Sequence, residues 1–150
     1  MDQKLLVPTD FSDAAALGVR AAGELAQQLG ASITLVHVWN PEGVGAPPAT
    51  LGWSHAQQEH LLDEVRAHLS TRLDDGRELL PEGVEIDTVL LEDHSAARAI
   101  TDYARHEGYD LIVVSTHGRT GVGRFLLGSV TEKIVRLSRT RVLTVPAHPE

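Results

Sequence analysis

Apolar positions follow two rhythms along this chain. Short continuous apolar runs recur at Leu5–Val7, Ser32–Trp39 (SITLVHVW), Val84–Leu91, Asp110–Thr116 (DLIVVST) and Val142–Val145 (VLTV). Their β-branched and aromatic content predicts five strands, with Pro8 and Pro146 closing the first and last. Between them the apolar residues switch to helical spacing. Ala14, Leu17, Ala21, Leu25 and Leu29 predict a first helix, capped by Ser12, with Asp13 in its first turn and Gly30 at its C-terminal stop. Leu61, Leu62, Val65, Leu69 and Leu73 form the stripe of a second helix over 54–75. A third helix starts at Ser95, turns Ala96, Ala99, Ile100 and Tyr103 inward, and stops at Gly108. A fourth runs from Ser129 to about Arg139. The segment NPEGVGAPPATLG, 40–52, carries three prolines and three glycines and predicts a loop.

Strand and helix therefore alternate throughout. That order predicts an α/β fold: a doubly wound, five-stranded parallel sheet with helices on both faces. The Leu-Ile-Val-Val run at 111–114 suits a parallel strand covered on both sides. Residues 1–150 read as a single domain. In such a sheet a ligand crevice opens beyond the carboxyl ends of the strands, where their order reverses. The sequences reaching those ends are PTD, HVW and STHG.

Composition narrows the function classes. The net charge is −8, from 21 acids and 13 bases, which argues against nucleic-acid binding. The basic residues near the end, Lys133, Arg136, Arg139 and Arg141, read as a solvated helix face and its surroundings. There is no cysteine, which excludes thiol catalysis and suits a reducing compartment. The start, MDQKLLVPTDFSD, lacks the apolar run of a signal peptide, and no stretch approaches a membrane span. A cytoplasmic protein is expected.

The chemistry concentrates in STHGRTGVGRFLLGSVTEK, 115–133. A strand end, four glycines and a Gly-Ser helix start make an anion cradle, because the first amides of a helix lack intrahelical partners and carry the positive dipole end. Arg119 and Arg124 would add charge. The same residues also spell a capping box, Ser129-Val-Thr-Glu132, in which Ser129 serves the N3 amide. On this loop alone both readings stand. The pattern is neither a Walker A loop nor G-x-G-x-x-G. Asp10, after Pro8-Thr9, either accepts from ribose hydroxyls or makes a turn and caps the first helix. Val38 either packs on a flat base or belongs to the core. His55, His60 and His68 lack the spacing of a helical zinc pair, and His37 reads as a satisfied core histidine. There is no G-x-S-x-G nucleophile elbow, and no cluster of acids like that of a receiver domain.

PTDFSDAA, LVHVW, STHGRTGVGRFLLGSVTEKIV and the closing VLTVP together resemble the universal stress protein family over nearly the whole chain. The resemblance implies an adenine nucleotide alpha hydrolase-like sheet of strand order 3-2-1-4-5. It also implies ATP binding, with Mg or Mn bridging the phosphates. ATP-binding members carry G-x-x-G, nine residues, then G and S or T. That pattern falls on Ser115, Gly118, Gly128 and Ser129, with Ser115 replacing the first glycine. By resemblance Asp10, beside Pro8 and Thr9, meets the ribose and Val38 the adenine. Gly118, Gly128, Ser129 and Val130 hold the phosphates, with His117 and Arg119 nearby. The implied role is a nucleotide-dependent sensor or regulatory module in stress response. Two other readings are a slow ATPase, for which Glu132 and His117 qualify only by proximity, and a nucleotide-free interaction module. The resemblance also implies a homodimer through strand 142–146, and a short apolar edge strand gains protection by pairing.

Overall fold

The computed structural model describes residues 2–44, 52–117 and 127–147. Five parallel strands, β1 (Lys4–Pro8), β2 (Ser32–Trp39), β3 (Ile86–Glu92), β4 (Leu111–Ser115) and β5 (Arg141–Val145), pair in the order β3-β2-β1-β4-β5. Four helices connect them: α1 (Asp13–Leu29), α2 (His55–Asp75), α3 (Ala96–His106) and α4 (Ser129–Leu137).

Both sheet faces are buried, as the unbroken apolar runs predict. Leu5 and Val7 of β1 face one core with Ile33, Leu35 and Val113, under α1 and Leu73 of α2. Leu6 points the other way, into a core with Val36, Ile112, Val114, Ile100, Ala104 and Ile134 under α3 and α4. Alternate residues of one strand thus serve opposite cores. Tyr109 reaches across the second core, its hydroxyl donating to Thr34 Oγ1 at 2.8 Å.

The helix ends follow local rules. Ser12 caps α1 by accepting from the Ala15 amide, and Gly30 closes it at φ +63°. Ser54 and Gln57 form a capping box at the start of α2. The predicted leucine stripe of α2 does lie toward the sheet, although only Leu73 is fully buried.

Two helices present a face that differs from the predicted one. In α1 the buried line is Ala15, Gly18, Val19, Ala22, Gly23 and Ala26, while Leu29 is exposed. In α3 it is Ala97, Ile100, Thr101 and Ala104, so Ile100 is buried as expected while Ala96, Ala99 and Tyr103 are only partly so. Small residues win because they let the helix axis approach the sheet. The larger neighbours then pack along the flanks.

Candidate functional site

The strand order reverses between β1 and β4. From β1 the chain proceeds to β2 on one side; from β4 it proceeds to β5 on the other. At the carboxyl ends of these strands lies a cavity of about 270 Å³. Sequence reasoning placed the ligand crevice here, and Pro8, Thr9, Asp10, Val38, Ser115, His117, Gly128, Ser129 and Val130 all line it. Gly118 and Arg119 lie outside the described residues.

One wall is the turn from β1 into α1. The Thr9 amide donates to Val36 O, fixing the turn to β2. Thr9 Oγ1 accepts from the Phe11 amide at 3.0 Å, and Phe11 takes φ +66°, a left-handed conformation uncommon for a bulky residue. Asp10 Oδ1 accepts from both the amide and the hydroxyl of Ser12, at 3.0 and 2.5 Å. The two sequence readings of Asp10 are therefore compatible: it makes the turn and it lines the crevice.

His37 is half-buried against this turn. Its Nδ1 lies 2.7 Å from Thr9 O. A carbonyl oxygen only accepts, so Nδ1 carries the proton. The ring packs on Phe11, centroids 4.4 Å apart, and the Arg72 guanidinium also lies over Phe11, 4.2 Å from its centroid. The expected core histidine is thus satisfied, but it also lines the cavity.

The opposite wall is the end of β4 and the start of α4. Ser115, the departure from the family motif, is buried inside regular strand. Its hydroxyl donates to His117 O at 2.8 Å, and its carbonyl accepts from Thr131 Oγ1 at 2.8 Å. Among the described residues only Phe11 is a non-glycine with positive φ, so Ser115 carries no such strain. The serine is absorbed by a local hydrogen bond. His117 is also buried, with Nδ1 2.9 Å from Thr116 Oγ1, which accepts from the Ala147 amide beyond β5. The Gly128 amide donates to Thr116 O at 2.7 Å, drawing residues 116 and 128 together.

The capping box predicted at Ser129 does not form. Gly128 is the N-cap and Ser129 the first helical residue, and among the described residues no side-chain hydrogen bond caps α4. The helix begins at Ser129 as expected, which puts the serine at the first helical position rather than at the N-cap that the S-x-x-E reading requires. Glu132 turns instead toward Arg136, 3.9 Å away on the exposed face. The uncapped start of α4 faces the crevice through Gly128, Ser129, Val130 and Thr131.

The floor was only partly foreseen. Val36, Val114, Ala96 and Ile100 join Val38 as an apolar lining. Val36 and Val38 share a sheet face by the two-residue period of a strand, so Val36 was recoverable from the pattern. Ala96 and Ile100 required knowing where α3 crosses the sheet. Thr131 also went unnoticed, because a threonine one turn into a helix carries no distinctive signal.

The donor set suits an adenine nucleotide. It offers an apolar slot, a carboxylate beside it, and an uncapped helix start opposite. Among the described residues no group of three or more histidine, aspartate or glutamate side chains could hold a metal ion. Two groups with clearly shifted titration lie outside the crevice lining. Arg66 is raised chiefly by its hydrogen bond to Glu92, and Tyr103 is pushed up to about 12 by loss of hydration and by Tyr109.

Comparison with known proteins agrees with the fold. The model of the universal stress protein family matches residues 1–146. Universal stress protein YxiE of Bacillus subtilis is 33% identical over 150 residues, covering 97% of this chain and 99% of that protein. Two solved structures share the fold at lower identity. A universal stress protein in complex with cAMP superposes with a TM-score of 0.65 at 23% identity, covering 98% of both chains. A universal stress protein of Archaeoglobus fulgidus in complex with dAMP gives a TM-score of 0.62 at 21% identity, covering 96% of this chain and 97% of that one.

Proposed function

Since the chain belongs to the universal stress protein family, we propose that its crevice binds ATP and that occupancy makes it a sensor or regulatory module in stress response. The observation carrying this reading is the convergence of Asp10, the Val36–Val38 slot and the uncapped start of α4 on one cavity. The cAMP and dAMP complexes of two structural neighbours support an adenine nucleotide as the ligand class.

Asp10 would accept from the ribose, beside Pro8 and Thr9. Val36 and Val38 would pack on the adenine. Ser115, His117, Gly118, Arg119, Gly128, Ser129 and Val130 would surround the phosphates, largely through backbone amides. A bound Mg or Mn ion would neutralise phosphate oxygens rather than sit in a protein cage. Titration calorimetry with ATP and Mg²⁺ is expected to give saturable binding. Absence of heat at high micromolar protein, with no shift in melting temperature, would favour a nucleotide-free interaction module instead. The accommodation of Ser115 within the strand weighs against that alternative. Slow hydrolysis has less support: of its two candidates only His117 lines the crevice, while Glu132 points to Arg136 and is absent from the lining.

The functional unit is proposed to be a cytoplasmic homodimer through 142–146. The absence of cysteine suits a reducing compartment. No helix among the described residues is long and apolar enough to cross a membrane. Among the described residues β5 pairs only with β4, which leaves its other edge without a strand, and Leu143 is 41% exposed beside it. Pairing two such edges across a two-fold axis would satisfy both. Sedimentation is expected to give twice the chain mass; a monomer at tens of micromolar would overturn this.

A further inference from the structure

The turn between β1 and α1 contains more fixation than a helix start requires. Ser12 makes three hydrogen bonds there. Its amide and its hydroxyl both donate to Asp10 Oδ1, at 3.0 and 2.5 Å. The hydroxyl oxygen also accepts from the Ala15 amide at 3.1 Å, which is the cap of α1. One hydroxyl therefore ties the carboxylate in the crevice to the first turn of a helix.

The backbone between them is set for this geometry. Phe11, at φ +66°, turns the chain so that the Ser12 amide meets the Asp10 side chain. Such a conformation is strained for a bulky residue and persists only where the surroundings fix it. Here the Phe11 amide is held by Thr9 Oγ1, and its ring packs against both His37 and Arg72. The turn is thus pinned from β2 and from α2.

We propose that Ser12 is a positioning residue for the nucleotide, orienting the Asp10 carboxylate toward the ligand before binding. This rests on the ATP-binding reading above. A carboxylate already locked in its bound rotamer loses little side-chain entropy on binding, and that saving appears directly in affinity. A serine acting only as a helix cap would affect stability and leave affinity untouched.

The test compares Ser12→Ala, Ser12→Gly and Ser12→Thr by calorimetry with ATP and Mg²⁺, well below each melting temperature. Glycine keeps most of the cap strength without the hydroxyl, and threonine keeps the hydroxyl. Both Ser12→Ala and Ser12→Gly are expected to weaken binding by about tenfold, the scale of one hydrogen bond to a charged group. Ser12→Thr should restore binding to near the wild-type value. In an Asp10→Ala background, Ser12→Ala should add no further loss, since it acts through Asp10. Without ligand, three-bond NMR couplings should show one Asp10 χ1 rotamer in the wild type and averaging in Ser12→Ala. Wild-type affinity in Ser12→Ala with an unaveraged Asp10 rotamer would overturn the proposal and leave the ATP reading intact. Failure of the wild type itself to bind would overturn both.

Discussion

Gly18→Val is expected to lower stability by about 1–3 kcal/mol, the usual cost of overpacking, and also to weaken ligand binding at the crevice. Gly18 is the point where α1 rests on the end of β4. A Cβ at this position would lie 3.1 Å from the Ser115 amide nitrogen and 3.4 Å from its Cβ. The nearest atom is strand backbone, which cannot rotate away as a flexible side chain would. The two branches of valine must therefore push α1 off the sheet or displace Ser115. Either movement disturbs the Ser115 bonds to His117 O and Thr131 Oγ1, and with them the wall of the crevice. Thermal denaturation reads the first effect and nucleotide titration the second. Unchanged Ser115 and His117 amide shifts in the variant would show that the contact is not tight.

Ile134→Ala is expected to cost more, about 2–5 kcal/mol, the range for truncating a large buried aliphatic side chain. Ile134 is fully buried in the core beneath α3 and α4. It is the main apolar anchor of a nine-residue helix whose Val130, Val135 and Leu137 are substantially exposed. So short a helix depends on packing rather than on its own propensity. Its first residues form one wall of the crevice, so loosening it should reduce ligand affinity together with stability. At about 3 kcal/mol the midpoint should fall by roughly 10 °C in a chain of this size. A shift below 2 °C would mean that α4 is held chiefly by the Thr131–Ser115 bond.

These two positions show how unevenly the sequence discloses the molecule. The strands were legible because parallel strands buried on both faces must be continuously apolar, as Leu5–Val7 and Leu111–Val114 are. Ser12 and Gly30 marked helix ends because capping is local chemistry. Ser129 left two readings open for the same reason. S-x-x-E describes a cap only if the helix begins after the serine, and here it begins at the serine itself. The buried face of α1 was misplaced because its larger residues suggested the core, whereas Gly18 and Gly23 sit where backbone and side chains approach closest.

The candidate site divides in the same way. Asp10, Val38, Gly128 and Ser129 follow strand ends or open a helix, and the alternation of elements brings such positions to one edge of the sheet. That much belongs to the sequence, because strand order and crossover handedness leave few alternatives. Whether Ser115 could replace a glycine was undecidable from the motif. The structure gives Ser115 no left-handed φ and a hydrogen bond to the nearby His117 carbonyl, and both depend on how β4 ends. The same holds for Ala96, Ile100 and Thr131, which reach the crevice only through the packing of α3 and α4 over the sheet. Periodicity and capping act over a few residues, so the chain encodes them locally. Contacts between residues far apart in sequence depend on where the helices settle against the sheet, and that is fixed only when the cores are packed.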